Sequence, residues 1–287
     1  MTPDQLSVSV RAVALAFALQ ASGAAFFLAL FGRRLIHGRG PVQRLGCTSA
    51  LVGLVVVLAH LTLDGARLSG DYDGMWDWDL QRLAWNSKSG LSQLVQAAGL
   101  LVIHLTLRRR GRSESPVRFM WAAVAGAVVC AGFLLTGHTS HHRLRAVLAP
   151  SLALHVLILA FWFGSLLPLI LVTRLESRET VVDLFGRFSS LAAWLVPLLL
   201  VAGLVMAAIL TGSFEILRRP YGELLLAKLS GFGLLMVFAG LNKWRLTPAL
   251  AAGGPGGPLR WSIAVEYALI VAVLSVTAVL TTFYSPD

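Results

Sequence analysis

The chain contains eight long apolar runs, and these runs restrict its fold more than any other feature. An apolar run of about 20 residues crosses a lipid bilayer as a helix. Strands of a membrane barrel would instead alternate apolar and polar residues, and these runs do not. The sequence therefore predicts an all-α fold, a polytopic membrane helical bundle with about eight transmembrane helices. The predicted spans are roughly 8–31, 44–63, 90–107, 117–136, 147–172, 188–211, 222–241 and 261–284.

The composition leaves no room for a soluble domain. Hydrophobic residues make up 56% of the 287 residues and charged residues only 13%, whereas a soluble domain has about 25% charged residues. We therefore predict a single integral membrane domain over 1–287.

The net charge of +10 indicates orientation and does not indicate a nucleic-acid partner. Most lysines and arginines follow spans 1, 3, 5 and 7, and basic loops remain in the cytoplasm. Both termini are therefore predicted to face the outside. The basic residues in these loops are Arg33, Arg34, Arg39, Arg44, Arg108, Arg109, Arg110, Arg112, Arg118, Arg174, Arg178, Arg187, Lys243, Arg245 and Arg260.

Histidines are concentrated at the predicted outer side. The segment "TGHTSHHRLR" at 136–145 joins spans 4 and 5, and Asp64 lies one turn beyond a histidine at the outer end of span 2. His155 lies about 12 Å into the membrane, counted from Val147 at 1.5 Å per residue. Five of the seven histidines are thus predicted in the outer third of the bundle: His60, His138, His141, His142 and His155.

Three interpretations of these histidines remain open on spacing alone. Intramembrane imidazoles face a cavity or the bundle interior, so they can be structural hydrogen-bonding groups. Neutral imidazole also suits copper, zinc, nickel and iron. Finally, two histidines on different helices can be the axial ligands of a haem, and His155 with either His60 or His138 would serve by depth.

Two segments carry a family resemblance. In "GHTSHHRLRAVLAPSLALHVLILAFWFGSLLPLILV" (137–172), a Gly-His pair is followed by a span containing a histidine and then by "WFGSLLPL". In "YGELLLAKLSGFGLLMVFAGLNKWRLTPAL" (221–250), a Tyr-Gly-x-x-Leu-x-x-Lys pattern leads to Asn-Lys-x-x-Leu-x-Pro. The matching residues are Gly137, His138, His155, Trp162, Gly164, Pro168, Tyr221, Gly222, Lys228, Asn242 and Pro248.

With these motifs the chain resembles the copper resistance protein D family of bacterial inner-membrane proteins. The family-like core covers 117–284. Ser165 stands where the family usually has a second glycine, and five methionines are few for a thioether relay of Cu(I). The resemblance implies copper import or transfer across the cytoplasmic membrane, with both termini in the periplasm.

The resemblance carries over His138 and His155 as metal ligands, and the depth argument adds His60, His141 and His142. Lys228, Asp64, Trp162 and Asn242 are expected to support the site. Glu266 lies at the opposite depth from Lys228 and is not expected to pair with it.

The expected cargo is copper, and the alternative is haem b in an electron-transfer protein. A copper-delivery factor for oxidase assembly is a further alternative. We expect no enzymatic activity. The expected partners are membrane lipids and a periplasmic copper carrier protein, and no nucleic acid.

Reporter fusions test the predicted orientation. Fusions at residues 40, 111 and 255 should report a cytoplasmic location, and fusions at 75 and 215 a periplasmic one, because the basic loops are retained inside. A periplasmic signal at 111 would contradict the orientation, since "RRRGR" at 108–112 is the strongest basic cluster of the chain.

Overall fold

A computed structural model describes residues 2–108, 116–136, 143–211 and 220–283. Within these ranges the chain is helical and contains no strand. Eight helices in the described part of the chain are long and apolar enough to cross a membrane. The predicted polytopic helical bundle is therefore confirmed, and most of the helices extend beyond the predicted spans.

Short helical pieces accompany the crossing segments in the described part of the chain. Two of these pieces, α3 and α9, are helices of their own, and a π-helical segment at Asn242–Leu246 links α8 to α9. The helices are α1 (Pro3–Phe31), α2 (Arg39–Ser69), α3 (Trp78–Trp85), α4 (Lys88–Arg108), α5 (Pro116–Gly132), α6 (Arg145–Leu175), α7 (Arg178–Thr211), α8 (Pro220–Leu241), α9 (Thr247–Ala251) and α10 (Gly257–Phe283).

The ends of α1 are fixed by local hydrogen bonds. The Thr2 hydroxyl accepts from the Gln5 backbone N–H while the Gln5 side chain accepts from the Thr2 N–H, which is a capping box. At the other end, one carboxylate oxygen of Glu176 accepts the consecutive N–H groups of Ile36, His37 and Gly38 at 2.7–2.8 Å. The turn between α1 and α2 is thereby attached to the end of α6.

The acidic aromatic connection after α2 contains the short helix α3. The carboxylate of Asp77 accepts from the N–H groups of Asp79 and Leu80 and so caps α3. Trp76 and Trp78 are exposed. Gln81 donates to the carbonyls of Thr62 and Met75 and so ties α3 to α2. Exposed tryptophans at a helix end suit a membrane interface.

The two most buried crossing helices are α1 and α6, which contact each other directly. Their closest approach is at Gly23 and Gly164. A Cβ atom on Gly164 would lie 2.8 Å from the Leu19 carbonyl oxygen, and one on Gly23 would overlap the Ala160 carbonyl oxygen. Gln20 adds a side-chain hydrogen bond of 3.0 Å to the Gly164 carbonyl. Small residues thus allow the backbones to approach, as in other membrane bundles.

The helices divide into two groups around this contact. On one side α2, α4 and α5 pack with α1, and on the other α7 and α10 pack with α6, while α8 packs along α10. The Ala- and Gly-rich α5 lies close to α1 and α4, but α1 and α6 are more buried than α5. Helices α7 and α8 are the least covered crossing segments of the described chain.

Replacing Gly164 with valine should destabilise the folded protein. The new side chain would meet the backbone of α1, so we expect a loss of about 3 kcal/mol, the upper end of the usual cost of overpacking. Gly233→Val is the matched control, since a Cβ on Gly233 meets nothing within 4 Å. Thermal unfolding in detergent measures both, and equal melting temperatures would contradict the close contact.

Candidate functional site

His60 lies in a polar cluster between α1, α2 and α4. Its Nε2 is 3.1 Å from the Ser7 hydroxyl, and the side chain is buried. The charges that act most directly on this imidazole are those of Asp64, Arg11 and Arg67. The two guanidinium groups oppose the binding of a metal cation at His60, and the Asp64 carboxylate partly offsets them.

Asp64 is the acceptor around which this cluster is organised. Its carboxylate accepts from Gln93 Nε2 at 2.7 Å and lies 3.5 Å from Arg67 Nη1. Arg67 also pairs with Asp4 at 2.9 Å. A buried carboxylate in such a network is compensated by its donors. The geometry therefore fits a structural link between α2 and α4.

Three predicted ligands, His138, His141 and His142, lie outside the described residues. Their helix neighbours are placed: α5 ends at Gly132, followed by a 3₁₀ turn at Phe133–Leu135, and α6 begins at Arg145.

His155 lies on α6 and points at α7. Its Nδ1 is 3.1 Å from the carbonyl oxygen of Leu199, so Nδ1 carries the proton and donates the hydrogen bond. The lone pair of the ring is then on Nε2. Gly203 allows this approach, because a Cβ there would lie 3.3 Å from the His155 ring. Metal-binding histidines commonly donate their second ring N–H to a carbonyl in this way.

Lys228 of α8 is the charged neighbour of His155. Its ammonium group is close enough to act electrostatically on the imidazole. His155 and Lys228, two residues of the sequence motifs, are thus within electrostatic range of each other although they lie on different helices. His60 has other neighbours, on α1 and α4.

Trp162 and Asn242 meet at a residue that the sequence-based site did not include, Glu266. The Asn242 amide nitrogen donates to the Glu266 carboxylate, and the Trp162 indole N–H lies near the same carboxylate. Glu266 is only 2% exposed. It is the one acidic residue of the span at 261–284, and an ionisable residue within a membrane span is itself a signal of function.

A cavity of about 490 Å³ opens beside Glu266. Helices α6, α7, α8 and α10 and the π-helical segment form its wall. Most of the wall is apolar, and its polar members are Ser189, Asn242, Lys243, Thr247 and Glu266, with Trp162 beside them. Neither His60 nor His155 lines this cavity.

Trp162 is seven residues beyond His155 on α6, so both lie on the same helix face, about 10 Å apart along the axis. One face of α6 therefore carries both His155 and Trp162, the residue that lies beside Glu266.

Cys47 and His104 form a separate contact between α2 and α4. The Cys47 sulfur lies 3.4 Å from His104 Nδ1, which is also 3.1 Å from the Cys47 carbonyl oxygen. Across the described part of the chain, no three histidine, cysteine, aspartate or glutamate side chains group closely enough to hold a metal ion. A metal at His155 would need a ligand from elsewhere, such as His138.

Comparison with known families identifies the chain. Residues 1–143 match the family described as copper resistance protein D-like, N-terminal domain. Residues 182–280 match the family described as copper resistance protein D. The chain belongs to the copper resistance protein D family. The N-terminal half, which resembled the family in topology alone, is thus matched as well, whereas His155 lies between the two matched segments.

Two relatives cover most of the chain. Copper resistance protein D of Pseudomonas syringae pv. tomato is 27% identical and aligns over 99% of this chain and 98% of its own length. Inner membrane protein YebZ of Escherichia coli K12 is 24% identical, over 87% of each chain. No solved structure matches the chain significantly. Copper handling by a multi-pass membrane protein is therefore supported at the level of the family.

The polar cluster around Asp64 can be tested by removing its shortest donor. Gln93→Leu should destabilise the protein by about 1–3 kcal/mol, the usual cost of leaving a buried polar group without its partner. Leu94→Ala, whose side chain is exposed on the same helix, serves as the control. If thermal unfolding shows that Gln93→Leu costs no more than the control, the cluster does not stabilise the fold.

Proposed function

We propose that this protein moves copper across the bacterial cytoplasmic membrane, by import or by transfer from a periplasmic carrier, without catalysing a chemical reaction. In this proposal both termini face the periplasm and His155 is the deeper binding station of the outer leaflet. His138 is its first partner, and His141 and His142 are more peripheral ligands in the loop between α5 and α6.

The hydrogen bond from His155 to Leu199 supports this proposal most directly. It holds the ring in one tautomer and leaves Nε2 as a neutral nitrogen ligand, the type that copper prefers. It also fixes the direction of the ring against α7. A ligand positioned in advance loses less entropy when the metal arrives.

Lys228 opposes a bare cation at His155. An ammonium group near a metal raises the energy of the bound state unless an anion or additional ligands compensate for the charge. We infer that Lys228 weakens copper binding at His155 and so favours release. Weak binding suits transfer, since a transported ion must leave its site again.

No contact of the described residues favours haem ligation by His60 with His155, and the other predicted pair includes His138, which lies outside the described residues. Axial ligation by His60 and His155 requires both rings to face one large space. The Nε2 atom of His60 faces Ser7, and the cavity beside Glu266 is lined by neither histidine. For His60 the geometry supports a structural role.

The proposal predicts that His155→Ala abolishes most of the copper affinity. Loss of a residue that hydrogen-bonds to a metal ligand costs about 10–100-fold in metal affinity, and loss of the ligand itself should cost more. Competition with a Cu(I) chelator measures this on the purified protein. His104→Ala is the matched control, since His104 is also half-buried on a crossing helix.

The double variant His138→Ala with His155→Ala distinguishes a shared site from two separate ones. If both residues bind the same ion, the double variant loses little more affinity than either single variant, because residues acting as a unit are not additive. Unchanged affinity in His155→Ala, together with unchanged copper accumulation in cells, would refute the role of His155.

A further inference from the structure

Glu266 is an acidic residue buried in a membrane span without a fixed positive partner. Among the described residues, no lysine or arginine nitrogen lies within 4 Å of its carboxylate. Its hydrogen-bond donor is the neutral Asn242 amide, and the neutral Trp162 indole lies near it. A buried carboxylate in such surroundings is costly when ionised and favours uptake of a proton or a cation.

Asn242 can form a hydrogen bond with the Glu266 carboxyl group whether that group is ionised or protonated. Its Nδ2 donates to Glu266, while its Oδ1 is buried and has no hydrogen-bond partner among the described residues. A protonated carboxylic acid has one O–H donor, and an amide oxygen accepts it. Rotation of the amide by half a turn would bring Oδ1 to Glu266. The pair can thus hold a hydrogen bond in both protonation states.

The local backbone places Asn242 where α8 changes its helix type. Asn242–Leu246 is π-helical, and π-helical turns inside α-helices are often found at functional sites. The same segment carries Lys243, which lines the cavity and is exposed at its other side. The cavity therefore extends from the buried Glu266 to an exposed residue of the segment after α8.

The other charged groups near α10 lie away from Glu266. Lys243 is the one other charged side chain in the described cavity wall, and α6 and α7 contribute no ionisable side chain to it. The Tyr267 ring stacks on Phe163 at 4.7 Å, and Arg260 lies near Gly256. Of the charges on α1, which also packs on α10, Asp4 pairs with Arg67 and Arg11 is near His60. In the turn after α1, Arg34 pairs with Asp183 and Arg33 is exposed.

We propose that Glu266 is a proton-binding site, which takes up and releases one proton through the cavity that reaches Lys243. The carboxylate gains a proton to become a carboxylic acid, and no other bond changes. The next step rests on the proposed copper transfer: this proton exchange couples copper movement to the proton gradient. The sequence contains no phosphate-binding loop with the Gly-x-x-x-x-Gly-Lys pattern, so a proton gradient is the energy source to test first.

Infrared difference spectroscopy of the purified protein tests proton binding without copper. Between pH 5 and pH 9 the parent should show a C=O band of a protonated carboxylic acid that disappears as the pH rises. Glu266→Gln should lack this band, and Glu266→Asp should retain one. Glu223→Gln is the matched control, because Glu223 is exposed on α8, and it should keep the parental band.

A parent spectrum without a titrating band that depends on Glu266 would overturn the proton-binding site. This includes a carboxyl group that remains protonated, or remains ionised, over the whole range. Gel filtration shows whether a variant that lacks the band is still folded. A folded Glu266→Asp variant with a titrating band supports the site independently.

Copper uptake into proteoliposomes tests the coupling. An imposed pH gradient should change the rate of uptake by the parent and by Glu223→Gln, and should leave the rate in Glu266→Gln unaffected by the gradient. A gradient effect equal in the parent and Glu266→Gln would overturn the coupling. If the parent moves no copper at all, the proposed transport function fails, while the infrared result still decides the proton site.

Discussion

The contact between Gly23 of α1 and Gly164 of α6 holds the two halves of the bundle together. In a membrane, helices associate by close packing and hydrogen bonds, because lipid is as apolar as their side chains. The missing side chains let the backbones meet, and the Gln20 amide donates to the carbonyl of Gly164 at that point. The face of α6 that presents His155 and Trp162 is positioned by this contact, and so are the sites those residues contact.

The two halves use their polar residues differently. In the N-terminal half, Asp64 receives donors from Gln93 and Arg67, and His60 contacts Ser7, so these groups connect α1, α2 and α4. In the C-terminal half, His155 and Glu266 each have a hydrogen-bonding partner and remain able to accept a further ligand. The first four crossing helices thus use polar groups mainly to link helices, whereas His155 and Glu266 in the last four retain unused acceptor positions.

The sequence predicted the crossing helices because a bilayer of fixed thickness requires apolar runs of a fixed length. The resemblance assigned both His155 and Lys228 to one site, which stays a prediction; the two side chains are within electrostatic range of each other. Depth counting from the helix ends could not show which helix faces meet. It therefore grouped His60 with His155, and it did not show that Trp162 and Asn242 both reach Glu266. Such contacts depend on helix rotation and packing, which are encoded in scattered small residues such as Gly164 and Gly203 rather than in a motif.

Helices α7 and α8 border the cavity and are the least covered of the crossing helices in the described chain. Each packs mainly on a single crossing neighbour, α7 on α6 and α8 on α10. A region with few buried contacts opens at a lower free-energy cost than a densely packed one. Movement of α7 would change the position of the Leu199 carbonyl oxygen, which orients His155. Movement of α8 would displace Lys228 and, just beyond its end, Asn242. A shift of α7 and α8 can therefore alter the surroundings of both His155 and Glu266 without disturbing the contact between α1 and α6.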